Sequence, residues 1–83
     1  MTPIVGENQI RTWCINYIAR VLNAPQNAID PSAEFDQFGL DSALTTAMII
    51  DLEAWLKIDI PPAVLFEQTT LNGIAAALSA RLA

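Results

Sequence analysis

One short stretch of this sequence carries residues that can take part in chemistry, Phe38-Gly39-Leu40-Asp41-Ser42. Gly39 permits a tight turn with backbone angles that other residues avoid. Asp41 and Ser42 follow this turn and precede a run of helical periodicity, so either side chain can act as the N-cap of a helix. The sequence therefore predicts a serine hydroxyl at a helix N-terminus, near the surface and beside a carboxylate.

A phosphodiester on Ser42 would suit that position. It would lie near unpaired backbone N–H groups and the positive end of the helix dipole. Dipole interactions of this kind contribute about 0.3–1 kcal/mol at an exposed site. Asp41 can help to hold a metal ion or orient the serine during attachment, although it repels the finished phosphate. The simpler interpretation is an Asp-Ser pair that only caps a helix, and the five residues alone favour that interpretation.

The composition argues against catalysis by the chain itself. The sequence has 83 residues, no histidine and one cysteine, Cys14. Without histidine, it lacks the usual base of serine and cysteine triads and the commonest zinc ligand. We therefore expect no catalytic residue and no metal site. Cys14 lies among apolar residues at helical spacing, which predicts a buried structural thiol.

Length and charge limit the remaining classes. A chain of 83 residues with a net charge of −5 has no basic footprint for nucleic acid. The acidic balance favours basic protein partners or serves solubility alone. No apolar run approaches the roughly 20 residues of a membrane helix, and the N-terminus has no signal-peptide pattern. We expect a single domain over residues 1–83 with its core at 7–82, monomeric and cytoplasmic.

Periodicity predicts the elements that position Ser42. Apolar residues at steps of three and four predict helices over 7–22, 42–57 and 70–82, and one short helical turn over 63–68. No segment alternates as a strand does. The predicted fold class is all-α, a small four-helix bundle of three main helices plus one short helix. The buried stripe of the second helix is predicted to contain Leu44, Met48, Leu52 and Leu56, with Ile49 and Trp55 beside it.

A long connection over residues 23–41 separates the first two main helices. Connections of this length are often functional in a compact domain. Its apolar residues predict a loop that is pinned over the bundle, and they are Ile29, Phe35, Phe38 and Leu40. Trp13 and Trp55 are expected to pack in or beside the core, with the lining of a groove as the alternative role.

The ordered motifs of the chain resemble those of the acyl and peptidyl carrier protein family. The resemblance covers roughly residues 7–82, and although each motif is weak alone, the ordered set is specific. The matching stretches are Ile29-Asp30-Pro31, then Phe35 and Phe38 through Ser42, Asp51-Leu52-Glu53, Ile58 through Pro61, and Thr69 through Ala75.

The resemblance implies a function for Ser42. A phosphopantetheinyl transferase would attach 4'-phosphopantetheine from coenzyme A to this serine, and acyl or aminoacyl groups would then be carried as thioesters on the thiol of the arm. The resemblance also implies acyl-loading and acyl-processing synthase enzymes as partners, such as a fatty acyl-AMP ligase or a ketosynthase. The chain would be a non-catalytic substrate of these enzymes.

The residue after the serine departs from the family pattern, because Ala43 stands where a bulky residue is usual. The outward face of the second helix also carries few charges, which favours docking by apolar contact. This face resembles carriers of polyketide or nonribosomal peptide pathways. The residues predicted to contact partner enzymes are Leu40, Ala43, Leu44, Ala47 and Ile50. A half-buried Ile50 without a docking role is the alternative.

Three other functions stay open at this point. The first is the primary carrier of fatty acid synthesis, which the apolar helix face disfavours. The second is a helical interaction domain in which Ser42 is only a cap. The third is a hydrolase with Ser42 as nucleophile, which the absence of histidine disfavours. Ser32 is the other loop serine that can accept a modification, but it lacks the preceding Gly-Leu-Asp.

Overall fold

The computed structural model describes residues 6–82, and its first helix, α1, spans Glu7–Leu22. Ile10, Cys14 and Ile18 are buried along one side of α1, as their spacing predicts. The helix ends at Asn23, whose left-handed backbone conformation (φ 53°) closes the last turn. The predicted range of residues 7–22 is confirmed.

The second helix, α2, spans Ser42–Leu56 and is one residue shorter than predicted, because Lys57 takes the left-handed conformation with φ 58°. Met48, Ile49 and Leu52 form its buried side. Leu44 was predicted to be buried with them, but 39% of its surface is exposed. The prediction for Leu44 is wrong because α2 is apolar on most sides, and the position of its neighbours decides which side is covered.

A short helix, α3, spans Ala63–Glu67, and the last helix, α4, spans Leu71–Leu82. The buried residues of α4 pack against those of α1 and are Leu71, Ile74, Ala75 and Leu78. The Thr70 hydroxyl accepts a hydrogen bond from Gly73 N–H at 3.0 Å, so Thr70 caps α4 as predicted. No helix among the described residues is long and apolar enough to cross a membrane.

The loop between α1 and α2 contains two 3-10 turns, Gln26–Ala28 and Phe35–Phe38. The side chains of Ile29 and Phe35 are buried in the core. Phe35 N–H donates to Thr69 O at 3.0 Å, and Asn72 N–H donates to Pro31 O at 3.0 Å. These contacts hold the loop against the start of α4, as its apolar residues predict.

The predicted fold class is confirmed. Within residues 6–82 the molecule has three main helices and one short helix, and strand-like pairing is limited to a single isolated bridge between Glu34 and Thr70. The bounds of the expected domain also include residues 1–5 and 83, which lie outside the described residues. The fold therefore places a pinned loop immediately before the N-terminus of α2.

Two tryptophans and a tyrosine stack where α1 meets the end of α2. The Trp13 and Trp55 rings lie 5.6 Å apart at 11°, and the Trp13 and Tyr17 rings 5.4 Å apart at 22°. Trp13 is half-buried, as expected, whereas Trp55 keeps much of its surface exposed. Trp13 therefore packs beside the core as expected, whereas Trp55 stacks on Trp13 at the surface.

Candidate functional site

A sharp turn at Gly39 directs the chain from the pinned loop into α2. Gly39 has φ 74°, which side chains rarely adopt, and its N–H donates to Asp36 O at 3.1 Å. A Cβ atom on Gly39 would meet no other atom within 4 Å. The turn therefore needs glycine for its backbone conformation rather than for space. The half-buried Leu40 packs against the core and fixes the exit of the turn.

Asp41 is the N-cap of α2. Its Oδ1 atom accepts a hydrogen bond from Leu44 N–H at 2.8 Å. Its backbone carbonyl accepts two more, from Thr45 N–H at 3.1 Å and from the Thr45 hydroxyl at 2.9 Å. The sequence left open whether Asp41 or Ser42 caps the helix, and the structure assigns the cap to Asp41. Ser42 is consequently the first helical residue.

The Ser42 side chain is exposed and lies at the positive end of the α2 dipole. The sequence around it is acidic, since Asp41 precedes it, Asp36 is exposed in the loop before it, and the sequence has no lysine or arginine between Arg20 and Lys57. The chain also has no histidine that could remove the serine proton. The hydroxyl is therefore open to solvent, and the sequence offers no histidine to activate it.

An apolar groove of about 430 Å³ opens beside Ser42, between α2 and α3. Ile50 and Phe66 stand on its two sides and are unusually exposed for large apolar residues, at 58% and 84%. The other residues that bound the groove include Phe35, Thr46, Glu53 and Ile60. The serine hydroxyl and an apolar channel are thus continuous on one side of the molecule.

The predicted partner residues do not form one patch. Ala43 and Ala47 are exposed on the outward side of α2, and Ile50 lies at the groove. Leu40 and Leu44 instead line a small crevice on the α1 side of the helix. The structure therefore places Ile50 with Ser42 at the groove and Leu40 and Leu44 at the crevice, while Ala43 and Ala47 line neither.

Sequence reasoning missed Phe66. In the structure Val64 is buried, and two residues turn a helix by about 200°, which points Phe66 away from the core. The other residues considered from sequence take structural roles. The Ser32 hydroxyl accepts a hydrogen bond from Asn72 Nδ2 at 2.9 Å, and Cys14 is fully buried. Among the described residues, no group of three or more His, Cys, Asp or Glu side chains is placed to hold a metal ion.

Comparison with known proteins places residues 13–78 in a family described as the phosphopantetheine attachment site. The acyl carrier protein TtuC of Teredinibacter turnerae is 36% identical over 55 residues, which make up 66% of this chain and 63% of TtuC. The polyketide synthase PksN of Bacillus subtilis is 37% identical over 62 residues, which make up 75% of this chain and 1% of PksN. The chain therefore spans less than two thirds of the length of either protein.

Solved structures of similar fold cover nearly the whole chain. A free-standing peptidyl carrier protein from a secondary metabolic pathway of Acinetobacter baumannii matches with a TM-score of 0.85 and 26% identity, covering 94% of this chain and 98% of its own. The acyl carrier protein Asl1650 of Anabaena sp. PCC 7120 matches with a TM-score of 0.89 and 25% identity, covering 100% and 93%. Asl1650 has a variant phosphopantetheinylation-site sequence.

Proposed function

Because the chain belongs to the phosphopantetheine-attachment family of acyl and peptidyl carrier proteins, we propose that it carries acyl intermediates on a phosphopantetheine arm attached to Ser42. The proposal rests on one observation above all. Ser42 is the exposed first residue of α2, directly after the Gly39 turn and the Asp41 cap, and it lies inside the family match. Ser32 lies in that match too, but its hydroxyl accepts a hydrogen bond from Asn72 Nδ2 at the start of α4.

The residues around Ser42 fit the prosthetic group. The first N–H groups of a helix have no partner within the helix, and Asp41 takes only that of Leu44. N–H groups at the start of α2 therefore remain to meet a phosphate on Ser42 Oγ. Asp41 has two parts in the proposal: its Oδ1 atom holds the turn, and its negative charge favours a cation during attachment.

Attachment is a substitution at phosphorus in which Ser42 supplies the nucleophile. Ser42 Oγ forms a bond to the phosphorus of coenzyme A that bears the pantetheine, and the bond to the adenosine bisphosphate breaks. The serine proton leaves to a base of the transferase, since this chain has no histidine to accept it. When bound, the arm supplies a thiol on which acyl groups are carried as thioesters.

The proposed role makes the domain a substrate of other enzymes and not an enzyme itself. Its partners are a phosphopantetheinyl transferase and the synthase enzymes that load and process the acyl group, such as a fatty acyl-AMP ligase or a ketosynthase. The similarity to PksN and to a conidial pigment polyketide synthase of Aspergillus fumigatus supports synthase partners. A single carrier domain over residues 1–83 and a cytoplasmic location belong to the same proposal.

The exposed face of α2 favours a specialised pathway over primary fatty acid synthesis. Ala43, Ala47 and Ile50 are exposed along it, and Phe66 extends the apolar surface across the groove. A partner that contacts this face would dock by apolar burial at the centre of the interface, with the acidic loop before Ser42 as a charged rim. We therefore propose polyketide, lipid or nonribosomal peptide biosynthesis as the pathway class.

The test is an intact mass after incubation with coenzyme A, magnesium and a broad-specificity phosphopantetheinyl transferase. We expect the protein to gain one phosphopantetheine group and Ser42→Ala to gain none. Ser32→Ala is the matched control, since it removes the other loop hydroxyl and should be modified as the wild type is. A protein that stays unmodified while a known carrier is modified beside it would overturn the carrier function.

A further inference from the structure

Glu53 accepts hydrogen bonds from two residues of the turn that follows α2. Its backbone carbonyl accepts a hydrogen bond from Lys57 N–H at 2.7 Å, which closes the last turn of the helix. Its side-chain Oε2 atom accepts a second one from Ile60 N–H, also at 2.7 Å and partly buried. A carboxylate that accepts from a backbone N–H makes one of the stronger hydrogen bonds in proteins.

The bond to Ile60 lies next to a segment that has no backbone donor. Pro61 and Pro62 follow Ile60 directly, and proline has no N–H to donate. Ile60 N–H is therefore the last backbone donor before α3 begins at Ala63. Fixing this one amide fixes the point from which α3 leaves the loop.

The loop and α3 form the side of the groove that faces α2. Ile60, Pro62 and Phe66 line that side, and Ile50 and Ser42 line the other. The Ile60 side chain is buried, so the loop is held by its apolar contact on one face and by the Glu53 carboxylate on the other. Without the carboxylate, the Ile60 amide would lose its partner at the edge of the groove.

We propose that Glu53 is a positioning residue for the groove, which sets the separation of α2 from the loop before α3 and so the fit of an acyl chain carried from Ser42. The inference rests on the proposed function, since it takes the occupant of the groove to be the group on the arm. Glu53 acts through Ile60 and makes no bond to the reacting atoms.

The experiment compares two substitutions of Glu53 with one of Asp51. Glu53→Gln keeps an oxygen acceptor at the same distance, whereas Glu53→Met keeps the length of the side chain and removes the acceptor. Asp51→Met is the matched control, because Asp51 is a carboxylate of the same helix that interacts with Tyr17 on the α1 side. Each protein is loaded from acetyl-coenzyme A and from octanoyl-coenzyme A by the transferase.

Two readouts separate positioning from general stability. The first is hydrogen exchange of the Ile60 amide by NMR, which should accelerate at least about tenfold in Glu53→Met and stay slow in Glu53→Gln and Asp51→Met. The second is the Tm of the octanoyl form minus that of the acetyl form. Wild type, Glu53→Gln and Asp51→Met should show a rise of at least about 4 °C from burial of the longer chain. Glu53→Met should lose more than half of it.

The result is decisive in each case. The inference would be overturned if the Ile60 amide exchanged slowly in Glu53→Met, or if Glu53→Met kept the full acyl-dependent rise in Tm. It would also be overturned if Glu53→Gln lost the acyl-dependent rise in Tm, or if the wild type showed none. Failure of Glu53→Met to fold would overturn it too, because Glu53 would then support the whole bundle. If neither acyl group is loaded onto any protein, the proposed function itself fails.

Discussion

Replacing Asp41 by alanine should lower the free energy of unfolding through two separate losses, that of a capping hydrogen bond and that of a charge. The change removes the bond from Leu44 N–H to Oδ1, which measures 2.8 Å, and leaves the two bonds to the backbone carbonyl in place. Loss of an N-cap side chain costs about 1 kcal/mol. Loss of the charge at the positive end of the α2 dipole costs about 0.3–1 kcal/mol more. We expect a total of about 1.5 kcal/mol.

For a domain of this length, that loss corresponds to a fall in Tm of about 6–12 °C, measured by circular dichroism at 222 nm. Asp41→Asn keeps the acceptor and removes only the charge, so it should lose about 0.3–1 kcal/mol. High salt should shrink the loss in Asp41→Asn, because exposed charges are screened, and should leave the difference between the two variants unchanged.

Ser42→Ala is the control, since Ser42 follows the cap and makes no capping bond in α2. Its Tm should stay close to that of the wild type. The reasoning would be refuted if Asp41→Ala unfolded within about 2 °C of the wild type, because a cap that stabilises the helix cannot be removed at so small a cost. It would be refuted equally if Asp41→Asn were as unstable as Asp41→Ala.

Three further predictions concern the core, the docking face and the buried thiol. Leu52→Ala should cost about 2–5 kcal/mol in urea unfolding, because Leu52 is 0% exposed, and Leu44→Ala on the open edge of the same helix should cost far less. Ile50→Glu should leave Tm unchanged and disrupt acyl transfer from the cognate loading enzyme; unchanged transfer would contradict docking at this face. Burial raises the pKa of Cys14 from 9.0 to about 12, so stability should be full below pH 9 and fall by up to about 1.4 kcal/mol per pH unit towards pH 12. Cys14→Ala should flatten that fall in stability. Desolvation first and Asp51 second raise the pKa of Tyr17, so Tyr17→Phe should remove a smaller loss of stability at alkaline pH. A wild-type stability curve that is flat above pH 9 would contradict the burial argument.

The main helices and the turn before Ser42 were predictable because local chemistry determines them. Ile10, Cys14 and Ile18 are spaced four residues apart, and this spacing places them on one side of any helix that forms. Gly39 and Asp41 have conformational roles that depend only on their immediate neighbours. Such local conformations depend little on the tertiary contacts of the rest of the chain.

The groove was not predictable, because distant parts of the chain assemble it. The outward side of α2 is apolar, so periodicity placed Ile50 on the outward face but could not show that Leu44 would be exposed as well. The five residues of α3 are too few to show a period, which hid Phe66. The bond from Ile60 N–H to Glu53 spans seven residues across a loop, and sequence spacing does not indicate it.

The burial of Cys14 has a consequence for the cargo. Thiol exchange requires a thiolate and access to it, and the Cys14 sulfur has neither, since its pKa is about 12 and it is fully enclosed between the helices. In the proposed carrier, the acyl group is a thioester on the thiol of the arm, and Cys14 is the one cysteine of the sequence. The acyl group would therefore have no accessible protein thiol of this sequence to which it could migrate. For the same reason, the thiol of the arm would form no disulfide with Cys14.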